Sequence, residues 1–219
     1  MKTGLRLLGG LTVGAVLFSG ISLAQTASVT LNRLGNATMD NMPVGPYEVT
    51  IAGISTLAIS DDYLDTATPG NMWMAELSSR NDLNGAQWNS VAGLSGYEEA
   101  AYLGSELLAA YLSGNQIAEG EIQFAVWGIF DPAALTNLES YNKTYWSAAE
   151  AYFAAAVDNP ERPFAVFTPV STSGTELMIV RSRVATAEPG APLLLGFDIA
   201  SACAVLFVLR RYAKRHGAV

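Results

Sequence analysis

Hydrophobic positions along the chain change their period twice. Between residue 28 and about residue 73 the signals are extended. Tyr47-Glu48-Val49-Thr50-Ile51 alternates, which puts Tyr47, Val49 and Ile51 on one face of a strand behind the turn residues Pro43, Gly45 and Pro46. Leu57-Ala58-Ile59 is a second short apolar run ending at Ser60-Asp61-Asp62, and Thr68-Pro69-Gly70-Asn71 reads as a turn. The period then becomes helical. Ser95 and Glu98 fit a capping box ahead of Ala100, Leu103, Leu107, Ala110 and Tyr111, with Gly114 placed to end the helix. A second helix is predicted over 119–130, with Ile122, Val126, Ile129 and Phe130 as its inner stripe. Phe124 and Trp127 make it apolar elsewhere too, as in a deeply buried element. Asp131-Pro132 fits a cap followed by proline at the first helical position, and a last helix over 144–157 closes at Asn159-Pro160. Strand signals return at 164–167 and 177–182. Strands at both ends with helices between them predict an α+β domain, barrel- or sandwich-like, carrying a helical insertion.

Two apolar stretches lie outside this pattern. Lys2 and Arg6 precede an apolar run over 7–23, and Ser22-Leu23-Ala24 supplies small residues for cleavage by signal peptidase between Ala24 and Gln25. At the other end, 193–209 is an apolar stretch at the short limit for crossing a bilayer. Its ten strongly apolar side chains favour insertion by roughly 3–6 kcal/mol, and Asp198 opposes this by up to about 3 kcal/mol. Arg210, Arg211, Lys214 and Arg215 follow at once as a stop-transfer cluster, on the cytoplasmic side by the positive-inside rule. The expected organisation is a signal peptide over 1–24, an exported domain over 25–187, and a tail over 188–219 whose segment 193–209 is a transmembrane helix.

Charge sharpens that division. The whole chain carries a formal −8, but residues 25–187 hold 18 acids against six bases, which leaves −12 on the domain. An acidic domain without a basic stripe is repelled by a phosphate backbone, so nucleic acid is not an expected partner. Cys203 lies in the second apolar stretch and His216 beyond it. The domain therefore has no Cys and no His. This excludes Cys/His zinc sites, Cys-His and Ser-His-Asp nucleophiles, and disulfide frameworks.

Ala187-Glu188-Pro189, then the apolar 193–209, then Arg210-Arg211, resembles the PEP-CTERM sorting tail of exported Gram-negative bacterial proteins, with Ala187 at the first proline position. The resemblance implies handling by an exosortase, a membrane enzyme that cuts near the motif and passes the protein to the cell surface or extracellular matrix.

The domain itself resembles a group of exported bacterial proteins with a thioester-like fold. The likeness rests on Ser60-Asp61-Asp62-Tyr63, Trp73, and Ile122-Gln123-Phe124-Ala125-Val126-Trp127-Gly128-Ile129-Phe130-Asp131-Pro132. Tyr145-Trp146, Thr168-Pro169 and Thr175-Glu176-Leu177 follow in the same order. The family joins a Cys sulfur to a Gln side-chain carbonyl, making an internal electrophile that captures amines. Here Ser60 stands at the Cys position and Thr175 at the Gln position. The resemblance thus implies a retained scaffold with the reactive bond lost. Ser60 as an alternative nucleophile needs a carbonyl partner and a base.

The remaining constellations read as structural. Asp61, Asp62 and Asp65 offer oxygens to calcium, but their spacing is not that of an EF-hand, and a solvated turn is expected instead. Glu98, Glu99, Glu106, Glu119 and Glu121 are expected on solvated helix faces rather than as a hydrolytic pair. Trp127 is expected in the core, while Trp88, in a polar stretch, is the best exposed aromatic for a sugar-binding platform. The expectation is a non-enzymatic exported surface protein without metal or cofactor. Its partners are the membrane, signal peptidase, an exosortase-type enzyme and, through exposed aromatics, an exopolysaccharide. A surface adhesin or carbohydrate-binding module is the first alternative, and a carboxylate-dependent hydrolase the second.

Overall fold

The computed structural model describes residues 25–63, 67–160, 163–171 and 174–180. The expected signal peptide, the expected sorting motif Ala187-Glu188-Pro189, the apolar 193–209 and the basic cluster Arg210, Arg211, Lys214 and Arg215 lie outside the described residues, as do Cys203 and His216. No helix among the described residues is long and apolar enough to cross a membrane.

The domain is α+β, a closed six-stranded antiparallel barrel with a four-helix insertion. The first five strands lie in the barrel or beside it: β1 (Gln25–Arg33), the short hairpin β2 (Ala37–Met39) and β3 (Met42–Val44), β4 (Tyr47–Ile51) and β5 (Ile54–Ser60). β6 (Met72–Ser79) leads into the helices α1 (Asn89–Ser113), α2 (Gln116–Phe130), α3 (Ala133–Tyr141) and α4 (Lys143–Asp158). β7 (Phe164–Pro169) and β8 (Leu177–Val180) then close the barrel in the order β1-β4-β5-β8-β7-β6. The strands at either end of the domain meet where β5 pairs with β8, Ile59 opposite Met178 and Ser60 opposite Leu177.

A six-stranded barrel is narrow, so side chains fill it. Val29, Leu31, Tyr47, Val49, Ile51, Ala58, Trp73, Ala75, Phe167 and Leu177 form this inner core. A second core lies between the outer wall of β5, β7 and β8 and the helices, and contains Ile59, Phe164, Val166, Met178 and Val180. Successive strand residues point to opposite faces, so these three strands are apolar on both. That is why 57–59, 164–167 and 177–180 read as continuous apolar runs, whereas β4, with one face toward solvent, alternates cleanly. Helix α1 comes close to the wall at Gly104, where a Cβ would sit 3.1–3.2 Å from the side chains of Val180 and Ile59.

Turn chemistry explains the joints. Asp40 and Asn41 both take positive φ, as a two-residue hairpin between β2 and β3 demands, and Ala52-Gly53 does the same between β4 and β5. Gly70 has φ 92° in the predicted turn, and the Asn71 amide donates to Thr68 at 3.0 Å. Gly114 ends α1 in the left-handed conformation, as expected. Asn115 caps α2 by accepting from the Ala118 amide, and Asp131 accepts from the Ala133 amide at the start of α3. Asn142 accepts from the amides of Thr144 and Tyr145 at 2.9 and 3.3 Å, which fixes the corner between α3 and α4.

One predicted helix start is displaced. α1 begins at Asn89 rather than at Ser95, and it kinks at Gly93, whose φ of 61° and ψ of −167° are not helical. Glu98 forms an ion pair with Arg80 at 2.5 Å, not the reciprocal bond of a capping box. A long-range cation outweighs a local cap because the loop after β6 lies against this turn.

Candidate functional site

Ser60 ends β5, and Thr175 lies in the segment entering β8. The β5–β8 pairing brings them together, with Ser60 Oγ 3.4 Å from Thr175 Oγ1 and both side chains fully buried. The distance is near the limit for a hydrogen bond, so this is a weak polar contact. Several of the other quoted sequence pieces converge here, and Tyr145 is not among them. Gln123 of α2 donates its Nε2 to the Ser60 carbonyl at 2.8 Å. Tyr63 packs against Phe124 and Trp127, with ring centroids 5.9 and 5.4 Å apart, and its hydroxyl accepts from Asn137. The indole of Trp73 lies over Gly174, where a Cβ would approach the ring to 2.6 Å.

Beside the hydroxyl pair is a buried acid cluster that the sequence reading missed. Glu176 is fully buried and receives three donors: the Tyr97 hydroxyl at 2.5 Å, the Gln87 amide at 2.7 Å, and the Thr168 hydroxyl. Asp61 is also fully buried, and neither of its carboxylate oxygens meets a donor among the described residues. Burial first, then repulsion from Glu176, pushes the Asp61 carboxyl well above its ordinary range. Burial and the absence of a donor on either oxygen favour the protonated form of Asp61. Burial and the two nearby acids likewise push the Tyr97 phenol up, which keeps it a donor.

This corrects the expectation of a solvated turn at Asp61. Three aspartates after a strand look like a polar exit, but α1 and the β8 entry cover the first of them. Asp62 is half-buried, and Asp65 lies outside the described residues. Asp61 and Glu176 are a carboxyl pair, and both side chains are fully buried. Asp61 is not a ready base for Ser60, since its own proton is held. No group of three or more His, Cys, Asp or Glu side chains that could hold a metal occurs among the described residues.

Two further expectations are corrected. Glu119 is fully buried against Gly45 and Asn36, and burial raises its carboxyl while the neighbouring Asn36 opposes the shift. It faces inward because the β2–β3 hairpin folds over the start of α2. Trp88 is half-buried against Phe130, ring centroids 6.4 Å apart, rather than presented as a platform. Trp127, as expected, is core. The signal that could have flagged Glu176 is its position: an acid one residue before a strand apolar on both faces has no solvent side to occupy. No family model, no curated protein and no solved structure matches this chain.

Proposed function

We propose that this chain is a non-enzymatic, exported surface protein of a Gram-negative bacterium. Signal peptidase releases it after Ala24, its C-terminal segment tethers it to the inner membrane, and an exosortase-type enzyme acts near Ala187-Glu188-Pro189 before it reaches the cell surface or matrix. The domain serves as a scaffold with the shape of a thioester domain and without its reactive bond.

The observation that carries this reading is the buried contact between Ser60 and Thr175. These are the two positions where the resemblance requires Cys and Gln, they are 115 residues apart in sequence, and their hydroxyls lie 3.4 Å apart. A hydroxyl pair holds no electrophile, and the neighbouring acid keeps its proton.

Intact-mass measurement of the protein recovered from cells, membranes and medium tests the proposal. The expected surface form lacks residues 1–24 and the basic tail, with no loss of ammonia or water beyond cyclisation of the new N-terminal Gln25. A surface form that retains Arg210–Arg215 overturns the sorting step. A loss of one ammonia or one water that peptide mapping places on Ser60 or Thr175 overturns the unreacted core.

A further inference from the structure

A shallow cavity of about 170 Å³ lies between the β2–β3 hairpin, the first turn of α2 and the corner between α3 and α4. Tyr141, the last residue of α3, and Tyr145, in the first turn of α4, stack with ring centroids 6.5 Å apart and planes 29° apart. Tyr141 is 53% exposed and Ile117 54%, which is much apolar surface for a site that no other element covers among the described residues. Thr38 from the hairpin and Gln116 from α2 complete the lining, and no protein group bonds the Thr38 hydroxyl or the Gln116 side-chain amide among the described residues. Every lining residue is uncharged, on a domain that carries −12.

We propose that this cavity binds a single residue of a neutral polysaccharide, its ring face on the Tyr141–Tyr145 pair and its hydroxyls toward Thr38 and Gln116. An aromatic body with a polar tip suits a ligand that is apolar on one face and hydroxylated around its edge. The uncharged lining gives no cationic partner to a carboxylate, sulfate or phosphate, and the domain's net charge of −12 disfavours polyanions. Volume sets the scale: 170 Å³ is the share of about six waters. That is room for one ring and less than a drug-sized ligand needs. Affinity per site is therefore weak, and a repeating polymer raises it through avidity. The walls are preformed. Asn142 fixes the helix corner, and Met39 of the hairpin sits directly on Gly120 of α2. The cavity is built from residues that take no part in the Ser60–Thr175 core, so it stands or falls separately from the sorting reading.

Affinity electrophoresis tests it, with the purified full-length chain in a detergent lacking a sugar headgroup. Gels contain dextran, galactomannan or hydroxyethylcellulose as neutral polymers, or alginate as the acidic one. Retardation is expected in at least one neutral gel and not in alginate. Tyr141→Ala and Thr38→Arg, both at exposed positions, are each expected to weaken it on the order of tenfold, with the urea midpoint unchanged. Retardation that survives both substitutions, retardation in alginate alone, or none in any neutral gel overturns the proposal. If one substitution moves the urea midpoint, the other decides.

Discussion

Tyr97 of α1 and Glu176 at the entry to β8 share a hydrogen bond of 2.5 Å inside a region closed to solvent, 79 residues apart in sequence. The bond ties the helical insertion to the strand that completes the barrel. Tyr97 also stacks on Phe164 of β7 and accepts from the Trp88 amide, so one side chain links three parts of the fold.

Tyr97→Phe keeps the ring and removes the donor. Leaving one partner of a buried hydrogen bond unsatisfied costs about 1–3 kcal/mol. The substitution should lower the free energy of unfolding in urea by that amount with little change in m. No change in the midpoint would show that Glu176 does not depend on this donor.

The proton on Asp61 gives a pH dependence of definite sign. Its folded-state pKa is raised, so the folded protein binds a proton that the unfolded chain has already lost. Stability is therefore highest below the ordinary Asp value near 4 and falls as pH rises through the window up to the folded value, at no more than about 1.4 kcal/mol per unit. Asp61→Asn should flatten much of that slope and be the more stable form near neutral pH. Glu119, raised by burial in the same direction, leaves a smaller slope behind. Urea unfolding from pH 3 to 8 measures both; a wild type whose stability rises across this window would contradict the assignment.

Gly35 tests how the hairpin docks. A Cβ there would lie 2.0 Å from the Val44 carbonyl oxygen, and backbone cannot swing aside as a flexible side chain can. Gly35→Ala should cost up to about 3 kcal/mol through overpacking. Gly120→Ala, which meets only the pliable end and stem of Met39, should cost less. Equal midpoints for the two variants would show that the hairpin is not held against the backbone in this way.

If Ser60 and Thr175 occupy the thioester positions, restoring the chemistry should be feasible. In the double variant Ser60→Cys, Thr175→Gln, the Cys sulfur attacks the Gln side-chain carbonyl carbon and ammonia leaves. The expected mass is that of the variant minus one ammonia, regained as an adduct on treatment with methylamine. Thr→Gln adds volume to a full site at about 1–3 kcal/mol, so circular dichroism of the variant is the control. A folded variant at full mass would sink the correspondence.

The residues that give the fold away are those whose constraint is local. Tyr47, Val49 and Ile51 alternate because β4 has one wet face, and Gly114 and Asp131 mark helix ends whose backbone groups need them. The apolar Ile122 and Phe124 could only belong to a helix buried on most sides. The order strands, helices, strands then implied that the ends of the domain meet. Other features depended on contacts that no local window contains. Asp61 and Glu119 look like surface acids until α1, β8 and the hairpin cover them. Trp88 loses its exposure to Phe130, and Glu98 leaves its expected cap for Arg80. The charge division, the absence of Cys and His from the domain, and the two apolar ends were determined by the sequence alone, because composition and run length need no partner. The closure of β5 on β8, the sealed Ser60–Thr175 contact with its acid neighbours, and the Tyr141–Tyr145 cavity were decided only by tertiary structure. Each joins groups distant in sequence, and burial, which sets both their protonation and their access to ligands, is a property of the assembled fold.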